Sequence, residues 1–197
     1  MHLTDRTVRE LLGRIRAVRV DGARPRVVAI DGGGGAGKST LAERLEGADE
    51  GVACVRIDDF YRPAPEPRIR EETCWFFDWR RLRDRVLIPA FEGESVSFRP
   101  YDWSEGELSD EELHLGRPAI LVVEGISTLR RELRDWVDFG IWVEAPAALR
   151  LERGLERDGD EARDMWVELW MPEEERYFES HRPAEYADVK VSGSPRG

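Results

Sequence analysis

The chain has 197 residues, a formal net charge of −11, and 41% hydrophobic against 36% charged residues. That is enough apolar content for a single domain, 1–197, with its own core, and the acidic balance argues against a nucleic-acid partner, which needs a basic face. No apolar run reaches membrane-spanning length, the N-terminus lacks a signal-peptide core, and Cys54 and Cys74 are too few and too far apart for a disulfide framework, so a cytoplasmic protein with reduced thiols is expected.

The first predicted element is an amphipathic helix over residues 4–20, with Thr4 as N-cap and Val8, Leu11, Leu12, Ile15 and Val18 on one stripe. A turn at 21–25 completes the N-terminal segment 1–24 and leads into a buried strand, Arg26 to Ile30. Next comes Gly32-Gly33-Gly34-Gly35-Ala36-Gly37-Lys38-Ser39-Thr40, which fits G-x-x-x-x-G-K-[ST], the phosphate-binding P-loop. The glycines let the backbone curl so that successive N–H groups face phosphate oxygens. Lys38 would reach the β- and γ-phosphates, and Ser39 would offer its hydroxyl to Mg²⁺. The residues after it read as a helix, whose N-terminus favours an anion.

A second strand spans Val52 to Ile57, and the prolines Pro63, Pro65 and Pro67 mark an irregular loop over 62–74. A helix is expected from Asp78 to Ala90, and a short extended piece from Ser95 to Phe98. Ile120 to Val123 and Phe139 to Val143 are apolar runs of the kind buried on both faces in parallel sheets. Pro146 suits the first turn of a helix running to Arg157. A further helix covers 161–180, with Pro172 marking a kink or restart, and Val189 to Val191 closes as a strand. Met165, Trp166, Leu169 and Trp170 read as a packing stripe. Alternating strands and helices predict an α/β, P-loop NTPase fold: an open five-stranded, mainly parallel sheet with helices on both faces, its ligand site at the strand C-termini.

Three of those strand ends carry chemistry. One leads into the P-loop, the second ends at Asp58-Asp59-Phe60-Tyr61, and a third ends at Glu124. A phosphate cradle with carboxylates around it suits phosphoryl transfer from ATP with Mg²⁺, one carboxylate positioning or deprotonating the attacking hydroxyl. No Asn-Lys-x-Asp guanine-reading motif occurs, which argues against a GTPase switch.

The chain resembles the uridine kinase family of P-loop kinases, related to pantothenate kinase and phosphoribulokinase. The resemblance runs from about Val27 to Val191. It rests on Ile30-Asp31-Gly32 and the P-loop, Asp58-Asp59-Phe60-Tyr61, Phe77-Asp78, Pro100-Tyr101-Asp102, Val123-Glu124-Gly125, Leu149 to Arg153 and Tyr186 to Val189, in that order. It implies an ATP-dependent kinase acting on an acceptor hydroxyl, of the nucleoside 5′-hydroxyl kind; a pantothenate- or sugar-like acceptor is the alternative. It implies Asp58 as the proton acceptor, Tyr61 and Tyr101 near the base, Asp78 on the ribose hydroxyls and Glu124 at the Mg²⁺ end. It also implies a small lid, about 150–162, whose Arg150, Arg153 and Arg157 close over the triphosphate, a small-molecule partner, and assembly into homo-oligomers.

The arginines are spaced three and four apart and share one helix face, where they meet either phosphate or, as a solvated row, Glu152 and Glu156. Two departures stand out. The family's Phe-Asp is followed by His-Pro, but Phe77-Asp78 is followed by Trp79-Arg80; and no histidine follows Tyr101-Asp102, where Trp103 stands instead. With Trp75, these tryptophans either stack on an acceptor or fill the core.

Overall fold

The computed structural model describes residues 2–63, 69 and 71–194; Pro65 and Pro67 of the predicted loop lie outside them. Strands β1 (Arg26–Asp31), β2 (Val52–Arg56), β7 (Ile120–Glu124), β8 (Phe139–Glu144) and β9 (Val189–Ser192) form one sheet in the order β2-β7-β1-β8-β9. Every neighbouring pair in it is parallel. The apolar runs become strands because both faces are covered: Val27, Leu121 and Val123 join one core, Val28, Ile30, Ile120 and Val122 the other.

Helix α1 (Asp5–Ala17) is capped by Thr4, whose hydroxyl accepts from the Thr7 N–H, and it buries Val8, Leu11, Leu12 and Ile15 as the stripe predicted. These pack with Leu41 and Leu45 of α2 (Lys38–Ala48) on one face of the sheet. On the other face lies α3, residues 79–91, with Leu82, Val86 and Leu87 buried. Its middle turn, Arg83–Leu87, is widened to π geometry. Between α3 and β7 the chain adds two small antiparallel pairs that periodicity did not foretell. β3 (Val96–Phe98) pairs with β6 (Leu113–Gly116), and β4 (Tyr101–Asp102) with β5 (Glu107–Leu108).

Helix α4 (Ala147–Asp158) follows β8 as expected. The predicted helix from 161 instead begins as a 3₁₀ turn, Asp160–Ala162, and continues as α5, residues 163–181. It does not restart at Pro172. The widened turn Met165–Trp170 comes just before, where a proline's missing N–H would break an ordinary α-helical ladder. Register places the strand ends level: Glu124 lies opposite both Arg56 and Ile30. The loops after β1, β2 and β7 therefore meet at one edge.

Candidate active site

A cleft of about 980 Å³ opens at that edge. Gly34, Gly35, Gly37, Lys38, Ser39 and Thr40 line it, together with Asp58, Glu124, Arg153 and Arg157. Lys38 Nζ donates to the Gly33 carbonyl at 2.9 Å, folded back onto its own loop. Ser39 Oγ donates to Glu124 Oε1 at 2.9 Å. Glu124 is 2% exposed, and burial raises its pKa against the pull of Lys38. A hydroxyl and a carboxylate in contact are hard oxygen donors, and they suit Mg²⁺, which completes its shell with water and phosphate oxygens. Among the described residues no group of three or more His, Cys, Asp or Glu side chains is placed to hold a metal alone.

Asp58 sits on the 3₁₀ turn Ile57–Phe60 and opens onto the cleft. Crowding by surrounding protein raises its pKa; Lys38, then Arg157 and Arg56, pull it down. Asp31, by contrast, is wholly buried under the loop. It accepts from the N–H groups of Gly32, Ser127 and Leu129 and from Tyr177 Oη. Burial pushes its pKa up to about 6, with the Tyr177 hydroxyl the strongest counterweight. Tyr177→Phe is therefore expected to cost about 1.5–3 kcal/mol of stability in urea unfolding, the range for a hydrogen bond to a charged group. The loss should be larger at pH 8 than at pH 5, because the hydroxyl favours the ionised carboxylate; an equal loss at both pH values would contradict this.

The cleft is also walled by aromatic rings. Tyr61, Phe76, Phe77, Trp103 and Trp170 line it, with Ile126. Tyr61 is the hub, its ring centroid 4.7 Å from Trp103, 5.3 Å from Tyr101 and 5.7 Å from Phe77. Tyr101 thus backs Tyr61 rather than lining the cleft itself. Of the tryptophans left open by the sequence, Trp103 is 58% exposed at the cleft, whereas Trp79 is a core residue whose Nε1 donates to Glu72 Oε2 at 3.0 Å. Trp75 packs edge-on against Phe76.

The other predicted residues are engaged elsewhere. Asp78 caps α3, accepting from the Arg81 N–H at 3.1 Å, and pairs with Arg62 at 3.0 Å. It lies in a neighbouring hollow with Glu72, Arg80 and Arg81. Arg150 is 4% exposed and donates to Glu174 Oε2 at 2.5 Å. Arg153 donates to the carbonyls of Gly35 at 3.2 Å and Gly193 at 3.0 Å. Arg157 pairs with its neighbour Asp158 at 2.6 Å, not with Glu152 or Glu156.

Sequence reasoning missed the face that α5 turns toward the loop. Trp166 and Glu174 line the cleft alongside Trp170, and Glu174 Oε1 accepts from the Gly34 N–H at 2.8 Å. Met165, assigned to a buried stripe, is 41% exposed. The loop has little room for side chains there. A Cβ on Gly33 would lie 2.0 Å from Arg150 Nη1, and one on Gly34 2.7 Å from the Trp166 ring. The spacing Trp166, Trp170, Glu174 was the signal available, since a charged residue in register with two tryptophans does not fit a plain core stripe.

The family described as Phosphoribulokinase / Uridine kinase matches residues 76–166, a span that starts after the phosphate loop. The chain is 28% identical over 195 residues to a protein named uridine kinase from Chlamydia pneumoniae, covering 86% of this chain and 82% of that one. It is 25% identical over 179 residues to a uridine kinase from Halobacterium salinarum, covering 83% and 78%. Among solved structures, one described as a possible uridine kinase from Bacillus stearothermophilus superposes with a TM-score of 0.70 at 21% identity, covering 94% of this chain and 97% of that one.

Proposed function

We propose that this chain is a kinase of the phosphoribulokinase/uridine kinase family and transfers the γ-phosphoryl group of ATP to the hydroxyl of an uncharged, flat-faced acceptor of the nucleoside kind. The observation that carries the reading is the lining of the cleft. Of its lining cations Lys38 and Arg153 bond the phosphate loop and Arg157 pairs with Asp158, while Tyr61, Phe77 and Trp103 gather as ring faces, with Asp58 within reach of both Lys38 and Tyr61. An anionic acceptor such as pantothenate would want a cation among those rings.

In this reading the loop amides and Lys38 hold the phosphates, and Ser39 with Glu124 would hold Mg²⁺. That ion, when bound, neutralises charge on the β- and γ-phosphate oxygens. Asp58 orients the acceptor hydroxyl and takes its proton as the oxygen attacks. Arg153 and Arg157 face the charge that develops on the transferring group. Tyr61 and Trp103 offer ring faces to the base. Asp78 would reach the acceptor's hydroxyls only on leaving Arg62. The chain's work is cytoplasmic, on small molecules.

The test is ADP release with ATP and Mg²⁺ against nucleosides, pantothenate and small sugars. Stimulation by a nucleoside is expected. Slow hydrolysis indifferent to every acceptor would favour a nucleotide switch, and stimulation by pantothenate or a sugar alone would refute the acceptor class.

A further inference from the structure

We propose that Glu174 is a positioning residue of the phosphate loop: its carboxylate fixes the Gly34 amide and thereby the curvature that presents the neighbouring N–H groups to nucleotide. The proposal rests on the nucleotide-binding reading above. Trp166, Trp170, Glu174 and Tyr177 follow one another at spacings of four, four and three, so they share one face of α5. Each grips a different part of the site. Tyr177 Oη donates to Asp31, the residue just before the loop. Glu174 takes the Gly34 N–H at the loop's middle. Trp166 covers Gly34, and its Nε1 donates at 3.0 Å to Asp158, the partner of Arg157. Trp170 contacts the Tyr61 side chain.

Four successive glycines make a loop with little conformational preference of its own. Amides that bind phosphate do so best when already oriented. Glu174 supplies that orientation from a rigid helix. It is 3% exposed, and its second oxygen is taken by Arg150, itself 4% exposed. The pair is close to neutral, so Glu174 can give the loop an acceptor without placing a net negative charge beside the incoming phosphates. Arg150 on this view serves the loop through Glu174 and does not touch the triphosphate.

The test uses two double variants. Both carry Arg150→Met, so that no buried cation is stranded. One adds Glu174→Gln, which keeps an oxygen for Gly34; the other adds Glu174→Met, of similar size but without it. Binding of ATP with Mg²⁺ is measured by calorimetry and unfolding by thermal melting. The Gln variant is expected to bind about tenfold tighter than the Met variant, the scale of one hydrogen bond, with both unfolding cooperatively. Equal affinities would overturn the role of Glu174. A wild type that binds no nucleotide would overturn the kinase reading instead. Glu174→Asp gives a second measurement should either double variant fail to fold. Its shortened carboxylate keeps the charge but loses Gly34, so the KM for ATP should rise about tenfold with the acceptor KM unchanged. An unchanged KM for ATP, or a rise shared equally by both substrates, would contradict the proposal.

Discussion

Asp58→Asn is expected to lower kcat by about 10²–10⁴-fold, the contribution of a positioned general base, while ATP affinity holds. Asparagine keeps the shape and one acceptor oxygen but cannot take a proton. The geometry makes the split clean. Asp58 hangs from the end of β2 on its own 3₁₀ turn, outside the loop whose amides face the nucleotide. The same residue sets the pH dependence. Its pKa is raised by crowding, and the base form is the ionised one, so activity should fall on acidification at a higher pH than an ordinary aspartate would give. In the Asn variant that acid limb should vanish from the residual activity. Lost ATP binding with intact residual transfer would place Asp58 on the wrong substrate.

Lys38→Met should cost about 10²–10³-fold in turnover, as expected for removing a preorganised cation from transferring phosphate. Lys38 is 8% exposed, with Nζ already seated 2.9 Å from the Gly33 carbonyl. Lys38→Arg should also impair turnover, because a planar fork does not replace a compact ammonium in that seat. A second signature separates this variant from simple misfolding. Lys38 is the leading charge that lowers the pKa of both Asp58 and Glu124. Its loss should therefore move the acid limb of the pH profile upward. Single-turnover rates across pH read both effects, and an unshifted limb would contradict the electrostatic coupling.

The sheet was legible because its strands are short apolar runs, which burial on both faces demands, and the loop because its chemistry forces its spelling. Ser39, Lys38, Asp58 and Glu124 followed from standing at strand ends, where the parallel register gathers them. The face of α5 was not legible, because helical periodicity says which residues share a side and not what that side meets. Trp166 and Glu174 meet the phosphate loop only because the fold brings α5 to the end of β1, where Tyr177 bonds Asp31. Gly32 and Gly35 looked like ordinary freedom in a P-loop; their necessity also comes from the backbone carbonyls of Val143 and Arg150, more than a hundred residues away in the chain, which a Cβ would meet at 2.2 and 2.4 Å. Trp79 and Trp103 could not be told apart in sequence, since an indole serves a core or a cleft equally well. What separates them is that Trp103 rides the small β4–β5 pair, whose two-residue strands carry no periodic pattern.

The assignment of the phosphate loop to ATP, and of Asp58 with the aromatic cluster to a nucleoside acceptor, is tested most directly by following the label from γ-labelled ATP in a single turnover with a nucleoside present. The label should pass to the nucleoside's hydroxyl as a monophosphate faster than it appears as inorganic phosphate. Label found only in inorganic phosphate, at a rate the nucleoside does not change, would contradict it.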